Sequence, residues 1–266
     1  SATYFMDDTR ESSRLKSKVE PNTFIKKYLT PLINSKTGNI LDVGCGSGII
    51  TSTLAKKFNN ISITGIDLSK QRFNNERTKH SDSKNLNFIQ GSAENMPFHS
   101  NHFDIVFIRF LLEYSKSPLN IIKEMYRVTK PNGFIILQDL DAQLATHYPE
   151  NKSLQNRLDI ILKHLSKSGF DPYIGRKLFH FGKKASLSSI DLQLEPYHLF
   201  AGKIDPHNES LWDLKLDIAL PEIIKALGSK DKATQFKNDY MNYLKDESTL
   251  TFSNLFTLTG KKTTSC

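Results

Sequence analysis

Three glycines on alternate positions, Gly44, Gly46 and Gly48, stand near the end of the run NILDVGCGSGII over residues 39–50. Apolar residues precede them and apolar residues follow. Glycine gives up more conformational freedom on ordering than any other residue, so three at the end of a buried strand mean that something approaches the backbone closely. A strand that ends in such a turn and passes into a helix fits an open α/β sheet. In such sheets ligands gather beyond the carboxyl ends of the strands.

The remainder of the first half alternates in the same manner. Residues 21–32 read as an amphipathic helix stopped near Pro31, residues 39–43 as a first strand and residues 48–57 as a helix. Residues 61–66 form a second strand, 69–79 a polar helix and 86–90 a third strand. The unbroken apolar run at 103–108 is the mark of a strand covered on both faces. Residues 118–129 predict a helix, 130–133 a turn and 134–140 a fifth strand. Five strands separated by helices imply right-handed crossovers and a parallel sheet. Past Asp141, helices are expected at 154–168, 176–185, 211–227 and 232–244, with strands at 192–200 and 250–258. The expected fold is a doubly wound, Rossmann-like, mostly parallel seven-stranded sheet with helices on both faces and a helical lid.

At 266 residues, 38% hydrophobic and 10% aromatic, the chain can bury a full core and is too apolar for a disordered protein. No apolar run has the length of a membrane span, and the polar opening is not a secretory signal. Cys45 and Cys266 give neither a disulfide framework nor zinc spacing, so a reducing cytoplasm and no metal are expected. The net charge of +8 divides into +5 over residues 1–141 and +3 over 142–266, without a dense basic run. That spread describes a solvated lysine-rich surface rather than a nucleic-acid face.

The glycine loop opens a helix whose N-terminal dipole favours an anion. Nineteen residues past Gly48, Asp67 closes the second strand in GIDLS, where a carboxylate can accept both hydroxyls of a ribose. A dinucleotide and an adenosyl cofactor share both features. The loop spacing is G-x-G-x-G rather than G-x-G-x-x-G, with Asp42 two residues before the first glycine.

Five stretches in order carry a resemblance: LDVGCGSG, GIDLS, QGSAENMPF, HFDIVFIRFLLEYSKSP and MYRVTKPNGFIILQD. Over residues 38–141 the chain resembles the class I S-adenosylmethionine-dependent methyltransferases, and within them the small-molecule group that includes the ubiquinone and menaquinone enzymes. The resemblance implies S-adenosyl-L-methionine as cofactor. Gly44, Cys45, Gly46, Ser47 and Gly48 would hold its methionine end, with Asp42 beside them. Asp67 would take the ribose hydroxyls, Leu68 would pack on the adenine, and Ser92 and Ala93 would meet the adenine edge. Arg109 falls where the family packs a residue against the methionine portion. Many relatives carry Asp at the place of Ser92, whose hydroxyl accepts more weakly. Ser92 also suits a plain turn, Arg109 an ion pair with Glu113, and Cys45 mere space in the loop.

The implied organisation is an N-terminal helical lid segment at 1–35, a cofactor-binding core at 36–141, and at 142–266 the end of the sheet with an inserted helical cap forming the substrate pocket. Arg14 in the first segment would reach the cofactor, against a frayed polar helix as the plainer reading. Asp139, His147 and Tyr148 are the candidate catalytic residues, with Asp141, Tyr173 and Arg176 on the substrate side. The expected acceptor is a small, aromatic or lipophilic molecule methylated at O, N or C, nucleic acid is not an expected partner, and the protein is expected to be a monomer or homodimer. The rivals are an RNA methyltransferase, a methyltransferase-like binding protein without chemistry, and a nicotinamide dehydrogenase.

Overall fold

The structure, a computed structural model, describes residues 20–143 and 146–263. Arg14 and Cys266 therefore lie outside the described residues. Helix α1 begins at Pro21–Phe24, widens into a π turn at Ile25–Leu29 and tightens into a 3-10 turn at Thr30–Leu32. Pro31 explains the ending: it has no N–H to donate, and its ring clashes with the carbonyl four residues back.

The strands of the core are β1 (Asn39–Val43), β2 (Ser62–Asp67), β3 (Leu86–Gln90), β4 (Phe103–Arg109) and β5 (Thr129–Asp141). Between them run α2 (Ile49–Lys57), α3 (Lys70–Lys79) and α4 (Pro118–Val128). The turn expected at 130–133 is instead a bulge inside β5: Phe103 pairs with Thr129, but Ile105 pairs with Phe134. Asn132 at φ 63° turns the chain out of the ladder there.

The second half supplies β6 (His147–Tyr148), α5 (Lys152–Ser166), a 3-10 turn at Gly175–Lys177, α6 (Leu178–Lys184) and β7 (Leu187–Ala201). It ends with α7 (Pro206–Leu227), α8 (Lys230–Lys245) and β8 (Leu250–Lys262). Asp205 and Ser229 cap α7 and α8 by accepting the N–H of Asn208 and Lys232. The sheet has eight strands in the order β3-β2-β1-β4-β5-β8-β6, with β7 also paired to β8. The expected seven strands become eight because the two-residue β6 continues the β5 side of β8. Pairs β1–β2, β1–β4, β2–β3 and β4–β5 are parallel, and β8 runs antiparallel to its neighbours.

Alternation along the buried strands sorts their side chains into two layers. Ile40, Ile63, Ile105, Phe107 and Ile136 pack with Phe24, Ile25 and Leu29 of α1 and with Leu54 of α2. Leu41, Val43, Val106, Ile108, Ile135 and Leu137 pack on the other face with Ile122 and Met125 of α4 and Leu178 of α6. A third cluster joins α5, α7 and α8 around Leu158, Ile161, Trp212, Phe236 and Tyr240, and forms the cap. Strands β7 and β8 keep pairing past the end of β5: Asp141 meets Asn254, whereas Ala201 meets Leu250. No helix among the described residues is long and apolar enough to cross a membrane.

Candidate active site

The carboxyl ends of β1 and β2 bring the glycine loop and Asp67 together. Gly44, Gly46 and Gly48 have φ of 70°, 54° and 76°, the left-handed region that favours glycine. Their surroundings differ. A Cβ on Gly44 would come within 2.7 Å of Leu111, and one on Gly48 within 2.6 Å of the Phe88 ring. At Gly46 a Cβ would meet nothing within 4 Å among the described residues. The outer glycines are required for packing, while the central one borders open space at the start of α2.

That open space suits the expected cofactor. Asp67 is 4% exposed, and its two oxygens accept the N–H of Gly46 and of Ser69, each at 2.9 Å. Arg72 stands 3.7 Å away. Leu68 is 59% exposed beside it, an apolar surface available to a flat ring. Its carbonyl accepts from Gln90 Nε2 at 3.1 Å. Ser92 Oγ accepts the N–H of Glu94 at 3.2 Å, which is the turn role. Ala93 packs against the apolar cluster beneath the loop.

Asp42 lies under the glycine loop at 4% exposure, accepting the Thr51 hydroxyl at 2.7 Å. Burial pushes its carboxyl up to about 7, with Asp67 adding and Thr51 and Arg109 opposing. Burial also pushes the Cys45 thiol well up, helped by Asp42 and Asp67, so the thiolate is suppressed. Cys45 thus fits the space-filling reading: a Cβ on Gly65 would lie 2.9 Å from its sulfur.

Arg109 does not pair with Glu113. The helical spacing that such a pair needs is absent, because Phe110 adopts φ 54° and residues Leu112–Tyr114 form a 3-10 turn. Arg109 Nε instead donates to Gln138 Oε1 at 2.6 Å, and Gln138 Nε2 donates to Thr257 Oγ1 at 2.8 Å. The guanidinium lies 4.4 Å from the Phe110 ring centre and 5.2 Å from that of Phe24. Burial lowers its pKa, against the pull of Tyr197, Asp42, Tyr28 and Asp139. Close by, Lys27 and Tyr28 of α1 both bind the Glu195 carboxylate of β7. Sequence reading missed Gln138, Thr257 and Phe110. The signal for Gln138 was present, a lone amide inside the apolar run of β5.

The candidate catalytic residues are not gathered at one point. Asp139 is wholly buried, accepting the N–H of Leu140 at 2.9 Å and of Glu113 at 3.2 Å. Burial and the neighbouring Glu113 hold its pKa well up. It ties the turn after β4 to the end of β5. Asp141 accepts both Nε and Nη2 of Arg176, at 3.0 and 2.7 Å, and the Arg176 N–H at 2.8 Å. That pair is a clamp on the 3-10 turn, with the guanidinium 4.8 Å from the Tyr173 ring. His147 Nδ1 lies 2.9 Å from Thr251 Oγ1, flanked edge-on by Tyr240 and Tyr243. Its partner Thr251 precedes the Asp141 partner by three residues, so His147 stands about 10 Å beyond the end of β5. Tyr148, the next residue along, points the other way and is 70% exposed. Among the described residues no cluster of metal-ligating side chains exists.

Residues 41–137 match a family model described as a methyltransferase domain. The chain is 30% identical over 168 residues to an uncharacterized methyltransferase of Schizosaccharomyces pombe, covering 59% of this chain and 57% of that protein. It is 27% identical over 195 residues to the demethylmenaquinone methyltransferase of Staphylococcus epidermidis, covering 71% of this chain and 81% of that one. Among solved structures, the phosphoethanolamine N-methyltransferase 2 of Haemonchus contortus with S-adenosyl-L-methionine superposes with a TM-score of 0.61 at 16% identity. That match spans 99% of this chain and 60% of the other and establishes a shared fold.

Proposed function

Because residues 41–137 give this chain a methyltransferase domain of the class I S-adenosylmethionine-dependent kind, we propose that it moves a methyl group onto O, N or C of a small, aromatic or lipophilic molecule. The observation that carries this reading is the open side of Gly46 beside the buried Asp67 carboxylate, framed by two glycines that packing requires. Bound S-adenosyl-L-methionine supplies a methyl carbon that its sulfonium already makes electrophilic.

The chain's own task is then to hold, align and keep dry. Asp67 takes the ribose, Leu68 the adenine face, and Ser92 and Ala93 the adenine edge. Gly44 to Gly48, with Asp42 beneath and Arg109 opposite, hold the amino-acid end, and Arg14 belongs to the same set. A base is needed only for an acceptor that must lose a proton. Of the three candidates Asp139 is favoured for its place at the carboxyl edge of β5, beside the turn that follows β4. His147 and Tyr148 serve the cap. Residues 1–35 act as a lid, 36–141 as the cofactor core and 142–266 as the rest of the sheet with its cap. The protein works in the cytoplasm as a monomer or homodimer.

Calorimetry with S-adenosylmethionine and with NAD, followed by radiolabelled methyl transfer into host extract, tests the reading. Binding of the first ligand alone and label among small molecules are expected. Binding of NAD alone would overturn the cofactor, and label confined to RNA would overturn the acceptor class.

A further inference from the structure

Arg109, Gln138 and Thr257 are successive register partners across β4, β5 and β8, so their side chains stand in one row on one face of the sheet. The row is polar in an otherwise apolar layer, and it is deep: Gln138 is 1% exposed and Thr257 2%. Glu195 of β7 is the register partner of Leu255, two residues before Thr257, and shares that face one strand farther out. Helix α1 packs on the same face, and Tyr28 in its π turn bonds to Thr257 on one side and Glu195 on the other. Turns of that kind recur at functional sites.

The two ends of the row fix the direction of every bond in it. A guanidinium only donates, so Arg109 Nε faces the Gln138 carbonyl oxygen, and the Gln138 amide donates onward to Thr257 Oγ1 at 2.8 Å. The Thr257 proton is then left for the Tyr28 phenol, and the Tyr28 O–H donates to the Glu195 carboxylate. Lys27 holds the second oxygen of that carboxylate. A buried cation is thus tied to a distant anion by hydrogen bonds that all point one way, the arrangement in which each bond polarises the next. Asp42 and Asp139, whose fields also reach Arg109, are pushed by burial toward their neutral forms, whereas Lys27 and Tyr28 hold Glu195 below the usual carboxylate range. Arg109 follows Ile108, the register partner of Val43, and so stands beside Gly44 at the start of the glycine loop. Among the described residues only its Nε is engaged in a hydrogen bond, which leaves both Nη groups for a carboxylate.

We propose that Glu195, Tyr28 and Thr257 are positioning residues for the cofactor: acting through Gln138, they orient Arg109 so that its Nη groups meet the carboxylate of the cofactor's amino-acid end. The proposal rests on the reading that assigns Arg109 to that end. It carries cofactor recognition outward from the glycine loop to α1 and the edge strand β7.

Calorimetry of the full chain with S-adenosylhomocysteine and with methylthioadenosine tests it, since the two thioethers share the adenosine and differ in the amino-acid arm. Glu195→Gln and Thr257→Val are each expected to weaken S-adenosylhomocysteine about fivefold and to leave methylthioadenosine unchanged. In a Gln138→Leu background neither should cost anything more, because the row is already cut. The Glu195 side chain is 36% exposed, so Glu195→Gln should fold even if Thr257→Val does not. Equal losses for both ligands would mean a merely structural role and overturn the proposal. So would unchanged binding of both, or losses that add in the Gln138→Leu background. Arg109→Gln should show the same split between ligands more strongly. If it binds S-adenosylhomocysteine like the parent, the assignment of Arg109 to the amino-acid end falls and the proposal with it. A split in Arg109→Gln that Glu195→Gln and Thr257→Val do not share overturns the proposal alone.

Discussion

Gln138 holds Arg109 through its side chain and holds the following residue through its backbone. Its Oε1 accepts Arg109 Nε–H at 2.6 Å, and its carbonyl accepts the Phe110 N–H at 3.0 Å. The second contact pins an aromatic residue at φ 54°, a conformation that a bulky side chain seldom adopts and that recurs at functional sites. One amide thus sets where the Arg109 guanidinium can point.

Gln138→Leu should leave Arg109 without its 2.6 Å partner while preserving the volume of the strand. S-adenosylmethionine affinity is expected to fall roughly tenfold, about 1.4 kcal/mol. Calorimetry checks this, and an unchanged dissociation constant would detach Arg109 from the cofactor.

Asp67→Ala removes a carboxylate that accepts two backbone N–H groups and, in the proposed complex, a ribose. Hydrogen bonds to a charged group contribute about 1.5–3 kcal/mol, so affinity should drop by about 10- to 150-fold. Asp67→Asn, which keeps one accepting oxygen, should fall between parent and Ala. Equal binding by all three would show the ribose to be elsewhere.

The glycines should separate stability from binding. Gly48→Ala places a methyl 2.6 Å from Phe88, and that ring is fixed by stacking on Phe73 at 5.3 Å. A loss of about 2–4 kcal/mol is expected from overpacking and left-handed strain. Gly46→Ala meets nothing and carries the strain alone, about 1–2 kcal/mol. In the proposed complex its methyl would stand in the cofactor's way. Urea denaturation should therefore rank Gly48→Ala as the less stable, and calorimetry should find the folded Gly46→Ala protein deficient in binding.

Asp42 makes stability depend on pH. Its folded pKa is raised to about 7, whereas an unfolded aspartate titrates near 3.9. Between about pH 4 and 7 the folded chain keeps a proton that the unfolded chain has released. This group's contribution is therefore full below the lower value and lost as pH rises through the upper. The total is on the order of 4 kcal/mol. Asp42→Asn should flatten that part of the profile in denaturation series from pH 4 to 8. An identical slope in parent and variant would place the charge elsewhere.

The parallel core was legible because each of its signals is local. An apolar run such as that of β4 declares a strand buried on both faces, and an acid closing β2 declares a ligand edge. The bulge in β5 escaped because Lys130 to Gly133 has the composition of an ordinary turn, and only pairing with β4 shows that the strand resumes. Gln138 and Arg109 escaped as partners because their contact crosses two strands, and no spacing along the chain encodes it. His147 and Tyr148 looked central from their position after β5. The extension of β7 and β8 past that strand carries them upward, which depends on where two distant segments pair. Asp141 and Arg176, 35 residues apart, form their clamp for the same non-local reason.

Ala201 and Leu250 are register partners, so the chain departs from the sheet and rejoins it across a single rung. Everything from Gly202 to Thr249 is hung from that rung and braced on α5. Lengthening, shortening or exchanging that pendant would leave the rest of the ladder intact. If the cap selects the acceptor as proposed, that choice can drift by insertion and deletion at one doorway while the glycine loop stays untouched.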